Sequence, residues 1–103
     1  MSPTPEPEHL NNQHRQTLLQ IFQHPVSHNV EWHAVVSLLE AVGTVELRHD
    51  GEHAVQVGAE TAFLGRPKGK DIDVDQVLTV RRLLTAAGYG PVVEALKAKG
   101  QEA

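Results

Sequence analysis

The chain has 103 residues, room for one domain and one core, and the absence of cysteine excludes disulfides and thiolate metal sites. Thirteen Asp and Glu against nine Lys and Arg leave a formal net charge of −4, which argues against a protein that holds nucleic acid through bulk positive charge. No apolar run approaches the ~18 residues of a membrane span and no apolar signal region follows the first methionine, so no membrane partner is expected and the cytoplasm is the expected compartment.

The first fourteen residues, MSPTPEPEHLNNQH, carry three prolines and little apolar surface to offset their ordering entropy, so residues 1–14 are expected to form a disordered arm. A short helix is expected over 15–23, where Leu18, Ile21 and Phe22 fall at helical spacing; His24-Pro25 ends it. The next helix, over 31–42, carries Trp32, Val35, Val36, Leu39 and Val42 as one apolar stripe, with Asn29 as its N-cap and Gly43 closing it in the left-handed region.

The period then changes from helix to strand. In 44–49, Val45 and Leu47 alternate with Glu46 and Arg48, and Asp50-Gly51 reads as a two-residue hairpin turn with positive φ at both positions. The returning strand, 52–57, sets His53, Val55 and Val57 on one face and Ala54 and Gln56 on the other. Gly58-Ala59-Glu60 is a second tight connection and 61–64 a third strand, so the three form an antiparallel meander. Residues 65–73, GRPKGKDID, are a loop. The last main helix starts at Asp73 or Asp75, buries Val77, Val80, Leu83, Leu84 and Ala87, and stops at Gly88. Residues 92–99 keep helical spacing and are expected to be short and frayed.

The expected fold class is therefore α+β: a two-layer sandwich of a three-stranded antiparallel meander against two main helices, preceded by a short N-terminal helix. One domain is expected over 15–90, with a short helix and frayed tail over 91–103.

Three stretches of this order resemble the HicA-type (YcfA-like) toxin family of bacterial toxin–antitoxin pairs, over about residues 17–88. The first is WHAVVSLLEAVG at 32–43, similar to the family's first helix and its closing glycine. DGEHAV at 50–55 is similar to its hairpin with a Gly-Ser-His pattern. RPKGK at 66–70, followed by VRRLLTAAG at 80–88, is similar to its basic loop and closing helix. The resemblance implies a fold like a double-stranded RNA-binding domain, metal-independent endoribonuclease cleavage of messenger RNA, no cofactor, and a HicB-type antitoxin as partner. The family's catalytic histidine falls on His53. Glu52 stands where the family has serine, and Gly65-Arg66-Pro67-Lys68 lacks both histidines that a longer branch carries there.

An imidazole at position 53 suits the proton transfer that RNA cleavage needs near neutral pH, and Glu52, its strand neighbour, points to the opposite face. The other reading of His53 is a ring that caps the apolar row of its strand. Arg48, Arg66, Lys68, Lys70, Arg81 and Arg82, all between residues 48 and 82, are the candidate RNA phosphate contacts; interleaved acids make a solvated face the alternative. The seven histidines include no compact ligand set with carboxylates, so no metal is expected. Trp32, Phe22, Phe63 and Tyr89 offer no exposed aromatic platform, which favours a reader of RNA shape over a stacking surface. Two functions follow: a HicA-like RNA-cutting toxin, or a catalytically degenerate interaction module that binds RNA weakly or a protein partner.

Overall fold

The structure is a computed structural model that describes residues 10–98. Four helices and three strands follow one another as α1 (Asn12–Ile21), α2 (Trp32–Val42), β1 (Thr44–Leu47), β2 (Glu52–Val57), β3 (Glu60–Gly65), α3 (Val74–Ala86) and α4 (Gly90–Ala98). The sheet order is β1-β2-β3, antiparallel throughout, so the expected meander and the α+β class are what the chain adopts. Helix α2 packs on β1 and β2 and α3 on β3, while α1 lies against α2, α3 and α4.

Strand parity sorts the core. Val55 and Val57 of β2 and Leu64 of β3 are buried beneath the helices, with Val35, Leu38 and Leu39 of α2 and Val77, Val80 and Leu84 of α3 facing them in one cluster. Each such side chain is worth roughly 1.5–3 kcal/mol relative to exposure. Leu47 shares the parity of the buried row, yet it ends the edge strand and is 65% exposed, contrary to the alternation expected for β1. The opposite face of the sheet is open to solvent, and its alternating members Thr44, Glu46, Gln56 and Thr61 are all exposed.

Both ends of the described stretch are more ordered than composition implies. Asn11 caps α1 by accepting from the His14 N–H, Leu10 is 4% exposed, and His14 Nε2 lies 2.9 Å from Ser37 Oγ on α2. The expected disordered arm thus gives way to folded chain by residue 10; residues 1–9 of that arm and residues 99–103 of the expected tail lie outside the described ones. Likewise α4 buries Val92, Val93 and Leu96, so 90–98 is a core helix and not a frayed appendage.

Three turns show how local chemistry set the frame. The first hairpin is a three-residue loop and not the expected two-residue turn: Gly51 N–H donates to Arg48 O, Arg48 N–H donates to Glu52 O, and only Gly51 has positive φ (90°). Asp50 avoids the left-handed region, and its carboxylate accepts the Glu52 N–H. The second hairpin turns on Gly58-Ala59 with Gly58 at φ 61°, as a type II′ turn demands at its first central position. At the end of α3, Gly88 N–H donates to Thr85 O and Tyr89 N–H to Leu84 O, a Schellman motif around Gly88 at φ 98°.

Candidate nucleic-acid interface

Antiparallel strands bring distant residues to one end of the sheet. The end of β1, the start of β2 and the end of β3 coincide there: Leu47 opposes His53, His53 opposes Leu64, and Glu52 opposes Gly65. The loop that leaves Gly65 is then tied to the start of α2. Trp32 N–H donates to Lys70 O (2.7 Å), Ile72 N–H donates to Val30 O (2.9 Å), and Glu31 pairs with Asp71 in an isolated antiparallel bridge. Glu31 is the N-cap residue of α2 but makes no side-chain cap bond, and Asn29, the expected cap, instead contacts Ser27 and Gln20 through its side chain. The clamp puts Arg48, His53, Trp32, Arg66, Lys68 and Lys70 at one end of the molecule.

His53 stands on the core-facing row of β2, and its ring meets Trp32 edge-on at a centroid distance of 5.0 Å and an angle of 78°. Its Nδ1 is buried without a hydrogen-bond partner. The only route by which this ring exchanges a proton with a ligand is therefore Nε2. Glu52 points to the other face, as strand parity requires.

The six candidate cations separate into two groups. Arg48, Arg66 and Lys68 are exposed, and among the described residues none has an ion-pair partner. Arg48 crosses β2 on the open face, with its guanidinium carbon 5.5 Å from the Phe63 ring centre. Lys70 is engaged: its ammonium is 3.6 Å from Glu31 and 3.5 Å from Asp71. The second of these distances is an ion pair and not a hydrogen bond, which is why Asp71 Oδ1 remains without a hydrogen-bond partner. Glu31 also accepts from His33 Nε2, and this hydrogen bond, followed by the Lys70 charge, holds its carboxyl below the ordinary carboxylate value.

Arg81 and Arg82 are not part of this end. Arg81 donates from Nε to Ile21 O and from Nη2 to Gln23 O, both at 3.0 Å, and its guanidinium carbon is 5.9 Å from the Phe22 ring centre. It caps the C-terminus of α1, and the fork formed by Nε and Nη2 is committed to those backbone carbonyls. Arg82 is exposed but lies eight residues into α3, roughly 12 Å along a helix that starts near the loop and runs away from it.

Phe63 is the residue that sequence reasoning missed. It is 50% exposed on the open face of the sheet, opposite Ala54, so the expected absence of an exposed aromatic does not hold. The signal was present: Phe63 and Leu64 are adjacent in one strand, so only one can face the core, and Leu64 shares the face of Val55. Sequence reasoning also missed a stripe of Gln13, Gln16, Gln20 and Gln23 along α1; with His24 and Lys97 it lines an open groove of about 810 Å³ that reaches Glu31 at the start of α2. Among the described residues, no group of three or more His, Asp or Glu is placed to hold a metal ion, and no helix is long and apolar enough to cross a membrane.

The chain matches no protein-family model, no curated protein and no solved structure.

Proposed function

We propose that the protein is a HicA-like RNA-binding module of the cytoplasm that holds an RNA backbone at the hairpin end of its sheet. The observation that supports this reading is the convergence of Arg48, Arg66 and Lys68 at one end, exposed and without an ion-pair partner among the described residues, although Arg48 and Arg66 are 18 positions apart in the chain. Spread out, three cations on an acidic chain would be ordinary solvated side chains. Gathered and unneutralised, they make that end a positive edge for phosphates to approach, with Phe63 beside Arg48 as an apolar surface. Asp50 and Glu52 at the same end set a ceiling on affinity, so binding is weak and steeply salt-dependent.

Fluorescence anisotropy with a labelled RNA stem-loop tests this reading. Three neutralised phosphates give a slope of log K against log salt between about −2 and −3. The variant Arg48→Gln/Arg66→Gln/Lys68→Gln is expected to weaken binding at least ~10-fold at low salt and to flatten that slope. Arg82→Gln is expected to change neither. Equal binding by the triple variant and the parent would remove the proposal.

One observation favours a second, catalytic reading: a histidine with an unpartnered buried nitrogen beside the cation cluster. In a metal-independent cleavage, His53 Nε2 would take the proton of a ribose 2′-hydroxyl as that oxygen attacks the adjacent phosphorus. The bond from phosphorus to the 5′-oxygen breaks, and the leaving oxygen takes up a proton from solvent. The products are a 2′,3′-cyclic phosphate and a 5′-hydroxyl. A HicB-type antitoxin would be the restraining partner in that case. Induced expression of the parent, His53→Ala and His53→Phe, with messenger RNA followed on a gel, distinguishes the readings. The phenylalanine variant keeps a ring against Trp32, so growth arrest and RNA decay lost in both variants would establish His53 chemistry. A parent that accumulates harmlessly with RNA intact leaves only the binding module.

A further inference from the structure

The two edges of the sheet are not equivalent. Because Arg48 N–H donates to Glu52 O, positions 52, 54 and 56 of β2 bond toward β1, and alternation turns 53, 55 and 57 toward β3. Their partners Leu64, Ala62 and Glu60 use their backbone groups inward. Thr61, Phe63 and Gly65 therefore direct theirs outward, off the free edge of β3. Gly65 O is capped by Gln76 Nε2 at 2.6 Å, whereas the outward N–H and C=O groups of Thr61 and Phe63 have no backbone partner among the described residues. Thr61-Ala62-Phe63-Leu64 contains no charge or proline, and its register with β2 runs without a bulge, so between Glu60 and the capped Gly65 the edge carries neither charge, proline nor bulge.

We propose that this edge pairs antiparallel with β3 of a second copy of the chain, with a twofold axis through Ala62, to give one continuous six-stranded sheet. Capping of Gly65 leaves only Thr61 and Phe63 free, and one twofold register uses both: Thr61 bonds with Phe63 of the second copy, and Phe63 with its Thr61. On the open face, each half-exposed Phe63 then lies against a threonine, an aromatic–β-branched pair that stabilises neighbouring strands. Glu60 meets Leu64 of the second copy, with that copy's Arg66 as a diagonal neighbour within reach of a long side chain. Glu60 and Arg66 have no ion-pair partner within the chain among the described residues, so the register places complementary free charges at both ends of the ladder. The same operation on the β1 edge fails. There the outward groups belong to Val45 and Leu47, and the axis between them sets Glu46 against its own copy.

The ladder is short, so the dimer is weak, with a dissociation constant of about 10–100 µM. Its strand pairing does not rest on the RNA reading, although Arg66 is shared by the two. The central residues in this register are a non-hydrogen-bonded pair with Cα atoms about 4.5 Å apart, inside the range a disulfide spans. The chain lacks cysteine, so Ala62→Cys introduces a single reporter, and Thr44→Cys on the exposed face of β1 is the control. Under mild oxidation Ala62→Cys is expected to form a covalent dimer at least ~10-fold faster than Thr44→Cys. Sedimentation of the parent is expected to show the average mass rising from 11.3 kDa toward twice that value between about 10 and 500 µM. Phe63→Lys, at a half-exposed position, is expected to keep the native circular dichroism spectrum and lose the association. A parent that stays monomeric across the series, or cross-linking at position 44 as fast as at 62, overturns the proposal.

Discussion

Gly43→Ala is expected to destabilise the domain by about 3 kcal/mol and to lower its melting temperature by about 15 °C. Backbone strain is not the cause, since Gly43 has φ −164° and ψ −140°, an extended φ any residue adopts. The cause is distance. A Cβ at position 43 would sit 2.0 Å from Gln56 O and 3.1 Å from Val57 Cα, both backbone atoms of the adjacent strand. Neither can swing aside as a side chain would. The chain leaves α2 and enters β1 within one residue, and that crossing is pressed against β2. Accommodating a methyl means prising α2 and β1 off the strand that carries Val55 and Val57. Thermal unfolding with two controls isolates the effect. Gly58→Ala adds a Cβ in open space at positive φ and should cost about 1 kcal/mol, and Gly69→Ala, open and without positive φ, should be neutral.

Arg81→Ala carries the second large effect, a loss of about 2 kcal/mol and about 10 °C in melting temperature. Two charge-assisted hydrogen bonds to Ile21 O and Gln23 O disappear, together with the guanidinium over Phe22, and the carbonyls at the end of α1 lose their partners. Arg81→Lys is expected to recover less than half, because an ammonium cannot fork to two carbonyls in the guanidinium geometry. If Arg81 instead served RNA, its removal would leave the melting temperature unchanged and weaken binding. Denaturation and anisotropy on the same preparation separate these outcomes.

These two residues mark where the sequence was readable and where it was not. Alternation and helical spacing sufficed for the meander and the main helices, since Val55, Val57, Val77, Val80, Leu83 and Leu84 announce their faces by period alone. Gly43 was read as a helix terminator with left-handed φ because that is the commonest local use of glycine. Its actual role, clearance beneath a strand thirteen residues away, depends on packing that no local pattern encodes. Arg81 illustrates the same limit. Side by side in sequence, Arg81 and Arg82 look alike, but on a helix they face about 100° apart, and one reaches a carbonyl sixty residues upstream.

Compositional reading also understated the ends of the fold. The stretch around Leu10 and Asn11 follows a proline-rich acidic run, which masked a buried leucine and an N-cap. From Pro91 onward helical spacing announced a short helix, but not that its apolar side chains complete the core against α1. The site was legible in part. The hairpin and the basic loop were visible, but not the clamp between residues 30–32 and 70–72 that brings the loop to the start of α2 and occupies Lys70.

The most direct test of RNA binding at the hairpin end is a titration of ¹⁵N-labelled protein with an RNA stem-loop, followed through backbone amide shifts. Changes are expected to saturate together and to concentrate in residues 48–53 and 63–70, with the glutamine-lined face of α1 and the Arg81 region of α3 unmoved. Changes confined to α1 and α4, or none at RNA concentrations where anisotropy reports binding, would contradict binding at the hairpin end.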